Sequence, residues 1–126
     1  MSDIVQALES FKEVFTIPSR IEELEKMQSY YDQETSDFLH FIEFAKPDAR
    51  EMIVKYKELR ESLRKRRKVK EELGILTSAK EILAYPKPKE KDFNRVIGNV
   101  KKLIKSHGNR TYTMRVRTEL QEKVNG

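Results

Sequence analysis

Cysteine and tryptophan are absent from this 126-residue chain, and it has only two histidines and four glycines. Without cysteine there are no disulfides, thiol nucleophiles or thiolate zinc sites, a composition that suits a cytoplasmic protein. Glycine occurs only at positions 74, 98, 108 and 126, which leaves no phosphate-binding glycine loop. No Gly-x-Ser-x-Gly nucleophile elbow is present either. Asp37, His40 and Glu43, spaced three apart, imitate half of a carboxylate and imidazole metal site. Helical di-metal sites repeat such a unit on two helices, and the other histidine, His107, stands far along the chain. These shortages predict a protein that is not an enzyme and carries no metal and no cofactor, with His40 packed or hydrogen-bonded locally. Long apolar runs are missing too: no stretch approaches the roughly 20 apolar residues that span a bilayer. The first residues lack a basic segment followed by an apolar one, so no secretory signal and no membrane partner are expected.

Charge is abundant. Charged and hydrophobic residues each make up 37% of the sequence, too little apolar material for a thick single-chain core, so elongated helices or oligomerisation are expected. The net charge of +5 is unevenly spread: residues 1–59 hold 7 Lys/Arg and 13 Asp/Glu, whereas residues 60–126 hold 19 and 8. This division favours contact between the acidic part of one chain and the basic part of another, or a phosphate-bearing partner at the basic end.

Apolar spacing predicts a mainly α, single-domain protein over 1–126. An opening helix is expected within 1–17, carrying Ile4, Leu8, Phe11 and Phe15, and Thr16-Ile17-Pro18 should break it. Residues 19–74 then form a long antiparallel helical hairpin. Its first arm starts with a Ser19/Glu22 capping box and shows a heptad-like stripe from Ile21 and Leu24 to Phe38 and Ile42. The second arm starts near Pro47 and Asp48, runs through Met52, Ile53, Tyr56, Leu59, Leu63, Val69 and Leu73, and should be capped by Gly74. The expected hairpin interior includes Phe38, Ile42, Ile53, Tyr56 and Leu63. Short helices with a Pro/Lys linker occupy 77–109: Thr77 and Ser78 open one that Pro86 stops, and Asp92 caps another bearing Phe93, Val96, Ile97, Val100, Leu103 and Ile104.

From Thr111 to Leu120 the side chains alternate, with Tyr112, Met114, Val116, Thr118 and Leu120 on one side. This predicts a C-terminal β-strand arm over 110–126. A lone strand leaves its backbone groups unpaired, so it is expected to pair between chains and make the protein a homo-oligomer. Arg115 and Arg117 would project from its polar face, with Arg110 before them. The densest basic run, Arg60 to Lys70, places Arg60, Arg64 and Arg67 on one helical face, a spacing suited to phosphates at one-turn intervals. Tyr112 and the linker residue Tyr85 are candidate rings for stacking a base. The candidate ligand-binding set is thus Arg60, Arg64, Arg67, Tyr85, Arg110, Tyr112, Arg115 and Arg117.

The segments Tyr30-Tyr31-Asp32-Gln33-Glu34-Thr35-Ser36-Asp37-Phe38-Leu39-His40-Phe41-Ile42-Glu43-Phe44, Arg66 to Leu73 and Arg110 to Leu120 resemble small helical proteins of phages and prophages of Gram-positive bacteria. The assembly resembles the phage Thoeris anti-defence proteins, oligomeric sponges that bind cyclic ADP-ribose-type or cyclic nucleotide immune signals without degrading them. That resemblance implies a non-catalytic protein of the host-cell cytoplasm whose partner is an anionic nucleotide ligand. The same basic faces leave two alternatives open: a nucleic-acid-binding regulator, and a protein-directed inhibitor acting through the hairpin.

Overall fold

The structure is a computed structural model that describes residues 2–125. Four α-helices dominate it: α1 (Ser2–Glu13), α2 (Ile17–Phe44), α3 (Ala49–Ala79) and α4 (Glu90–Gly108), with short 3-10 turns at Val14–Thr16, Lys80–Ala84 and Thr118–Lys123. The expected break at Thr16-Ile17-Pro18 is only a change of pitch. Glu13, Thr16 and Ile17 keep right-handed helical dihedrals, and Pro18 sits in the first turn of α2, where a missing N–H leaves no bond unmade.

α2 and α3 form the antiparallel hairpin, 28 and 31 residues long, or about 42 and 46 Å at 1.5 Å per residue. At its tip the Asp48 carboxylate accepts the Glu51 N–H at 2.8 Å and caps α3. Register is fixed by two cross-helix pairs. Arg20 donates to both Glu72 oxygens at 3.0 and 3.1 Å, and Arg66 donates to Asp32. Hydrogen bonding to Glu72, then to Glu23, raises the Arg20 pKa above its ordinary value.

The face of α3 turned toward α2 differs from the expected one. Met52, Leu59, Ser62, Val69, Leu73 and Leu76 are buried or half-buried, at alternating heptad spacing apart from two positions, where the polar Lys55 and Arg66 stand. Ile53, Tyr56 and Leu63 are exposed, as is Ile42 on α2. The apolar arc of α3 is two rows wide, and Ile53 lies 100° round from Met52. One neighbouring helix covers one row. The covered row is the one that continues to the base of the hairpin, where a third layer stands.

Gly74 does not end α3, which runs on to Ala79 through Thr77 and Ser78 without a new cap; Gly74 has no positive φ. Nothing demands a left-handed residue there, so helix propagation prevails. The stop before Pro86 is as expected, with Tyr85 extended at φ −89° and ψ 124°. α4 starts at Glu90, two residues earlier than Asp92. Asp92 therefore occupies the third helical position and its carboxylate reaches back to the Lys89 N–H at 2.9 Å.

α4 packs along the base half of α3. The buried apolar core of the described residues consists of Ile21 and Leu24 of α2, Val69 of α3, Ile82 of the 3-10 turn and Val96 of α4. All five lie at the base. Of the described residues, none forms a β-strand, which corrects the expected C-terminal arm. Residues 110–117 are irregular, and two amide side chains take the place of a partner strand. Asn125 Oδ1 accepts the Tyr112 N–H at 2.9 Å while its Nδ2 donates to the Tyr112 carbonyl at 2.7 Å. Gln121 Oε1 accepts the Met114 N–H at 2.7 Å. The Tyr112 and Met114 amides and the Tyr112 carbonyl are thus satisfied within the chain, and the described residues hold no strand edge of the kind from which pairing between chains is expected. Among the described residues no helix is long and apolar enough to cross a membrane.

Candidate anion-binding cleft

Helical periodicity places residues 60, 63, 64, 67 and 70 on one side of α3. α4 runs back along α3 from the base, so the chain leaving it delivers Arg110 beside Arg67 and Glu71. Arg60, Leu63, Arg64, Arg66, Arg67, Lys70 and Arg110 together line an open cleft of about 300 Å³. A second hollow of about 400 Å³ adjoins it, sharing Arg67 and Arg110 and adding Thr111, Tyr112, Val124 and Asn125. The cleft holds six cations. Arg66 is tied to Asp32, and Arg110 Nη1 stands 3.7 Å from Glu71 Oε1. Among the described residues, Arg60, Arg64, Arg67 and Lys70 have no carboxylate within ion-pair distance. Four uncompensated positive charges on two to three turns of one helix make a local field that attracts polyanions. Arginine adds a planar fork that matches phosphate geometry.

Five of the eight candidate residues therefore come together: Arg60, Arg64, Arg67, Arg110 and Tyr112. The other three do not. Arg117 pairs with Glu119 two residues on, and Arg115 is exposed on the irregular segment and lines neither hollow. Their expected array on one strand face is not formed, because the backbone there is not extended into a strand. Tyr85 lies elsewhere, lining a separate hollow with Phe15, Leu83, Pro86 and Pro88, with the Arg95 guanidinium 5.3 Å above its ring. That cation covers one face of the ring. Lys70 is the useful addition; its place three residues after Arg67 was already visible in the helical spacing. Arg66 was visible only as part of the basic run, since its partner Asp32 is 34 residues away.

A larger hollow of about 650 Å³ on the hairpin is lined by Glu34, Asp37, Glu58 and Glu61 as well as Lys55, Lys57 and Lys65. Lys55 is bridged to Glu58 at 3.2 Å and Lys65 to Glu61 at 3.9 Å, so this mixed surface has little preference for an anion. The Asp37, His40 and Glu43 spacing yields no metal cluster among the described residues. His40 instead stacks on Phe44, with centroids 6.0 Å apart, and its Nδ1 lies 3.4 Å from the Ser36 hydroxyl. The chain matches no protein-family model, no curated protein and no solved structure. The functional reading rests on the residues of the cleft.

Proposed function

We propose that this protein is a non-catalytic, phage-type anti-defence protein that binds and sequesters a cyclic nucleotide or cyclic ADP-ribose-type signal in the basic cleft. The observation that carries this reading is the set of unpaired cations Arg60, Arg64, Arg67 and Lys70 in one cleft with Arg110. Arg60, Arg64 and Arg67 hold the phosphates in this reading, a role that Arg115 and Arg117 are not placed to share. The two adjoining hollows fall within the size range of small-ligand sites, and Tyr112 offers a ring for a base. Nucleophile, general base and metal have no assigned place in the cleft, so the ligand is held and released unchanged.

Calorimetry with a panel of cyclic dinucleotides and cyclic ADP-ribose isomers tests the proposal. Each charge-assisted bond to phosphate contributes about 1.5–3 kcal/mol, so Arg64→Ala weakens binding about 10- to 100-fold. Arg117→Ala, with its guanidinium engaged by Glu119, changes binding less than about threefold. The ligand is recovered intact after denaturation. One observation favours a second reading: the unpaired cations lie along a single helix instead of converging from several walls, which also suits a nucleic-acid backbone. That reading requires binding to DNA or RNA whose log K falls against log salt with a slope of about −0.9 per phosphate contacted on duplex. Absence of heat with every small nucleotide, beside submicromolar polymer binding, rejects sequestration in favour of the regulator.

A further inference from the structure

α1 and the 3-10 turn that follows it carry a continuous apolar row, Ile4, Leu8, Phe11 and Phe15, with Val5 beside it, and all five are exposed. The Phe11 ring lies 6.0 Å from that of Phe93 at the head of α4. From that point α4 presents Ile97 and Ile104, also exposed. Between them lies a groove of about 370 Å³ walled by Val14, Ile82, Phe93, Val96, Ile97 and Val100. The row and the groove are neighbours on one chain, yet the row does not enter the groove. α1 passes into α2 through helical dihedrals at Glu13, Thr16 and Ile17, so folding it back would break that turn.

We infer that a second copy of this chain docks on this face, the α1 row of each copy lying against the groove and outer row of α4 of the other. Donor row and acceptor groove on one face close under a two-fold axis without leaving a free end. Seven apolar side chains about half exposed leave about 500 Å² per copy, so the pair buries about 1,000 Å² before its polar rim, the threshold for a specific interface. Charge selects the same occupant. The polar side of α1 bears Asp3, Glu9 and Glu13 against Lys12, whereas α4 bears Lys91, Lys101, Lys102 and Lys105 against Glu90 and Asp92, its Arg95 being paired with Glu81. An acidic amphipathic helix suits a basic helix and is repelled by an anionic lipid surface. This contact is independent of the cleft and of its ligand.

Light scattering at about 50 μM tests it. The wild-type chain is expected near twice 15.0 kDa. Leu8→Glu and Ile104→Glu, at positions 63% and 53% exposed, are expected to return it to one copy, with helical circular dichroism unchanged because neither side chain is in the core. Leu39→Glu, at the far end of the hairpin and 54% exposed, leaves the dimer intact. Since the protein has no native cysteine, mixed L8C and I97C chains should form an intermolecular disulfide that mixed L39C and I97C chains do not. The proposal is overturned by a monomeric wild type, including one that sediments with phosphatidylserine vesicles, by dimers that survive both Leu8→Glu and Ile104→Glu, or by dissociation on Leu39→Glu.

Discussion

The two ends of the hairpin are built from the same two helices and differ in almost everything else. At the base, Leu24 is fully buried, and Ile21, Val69, Ile82 and Val96 join it across three layers. At the tip, Leu39, Ile42, Ile53, Val54 and Tyr56 are all exposed. Sequence hydrophobicity does not distinguish the ends. What distinguishes them is α4 with the Lys80–Ala84 turn, present at one end only. Two helices can bury one row each; a core needs a third surface. The tip is held by backbone and cap bonds instead: Ala45 N–H to the Phe41 carbonyl at 2.9 Å, Met52 N–H to the Asp48 carbonyl at 3.0 Å, and the Asp48 cap itself.

The comparison can be broken by substitutions on either side of it. Leu24→Ala opens a cavity at the most enclosed position and should lower stability by about 2–5 kcal/mol in urea unfolding. A loss no greater than that of a tip variant would mean the base is not the core. Asp48→Ala removes the cap on which the coreless tip depends and should cost about 1 kcal/mol. Amide exchange for residues 45–52 should quicken more than that of the base, and uniform quickening would contradict local anchoring. Ser62 sharpens the comparison with the opposite sign. It is 2% exposed on the α3 row, and its hydroxyl has no partner among the described residues. Ser62→Ala should therefore raise the unfolding midpoint, by about 0.5–1 kcal/mol; a fall would show that the hydroxyl is satisfied. Smallest is Tyr56→Ala at the exposed tip, within about 0.5 kcal/mol of wild type. A loss of several kcal/mol there would place a covering partner on the tip.

The site shows the same contrast between local and long-range determination. Arg60, Arg64 and Arg67 follow from the period of one helix, and Lys70 follows by the same rule. That Arg66 is tied to Asp32 while its neighbours stay unpaired depends on the register of α2 against α3. Arg110 reaches the cleft because α4 returns along α3. Tyr85 lines neither hollow of the cleft, and Arg95, ten residues later, lies over one face of its ring.

What the sequence determined by itself was part of what short-range periodicity writes: the helical stretches, the start of α3 near Pro47 and Asp48, the stop before Pro86, and a basic face on α3. Those signals act within about one helical turn, so no distant residue is needed to read them. The tertiary structure decided which of two apolar rows on α3 is covered, which arginines are neutralised, and what becomes of residues 110–125. There the alternation from Thr111 to Leu120 had the period of a strand, but period specifies only which side chains share a face. A strand exists when a neighbour takes its amides and carbonyls, and at Tyr112 and Met114 the side chains of Asn125 and Gln121 take those bonds instead.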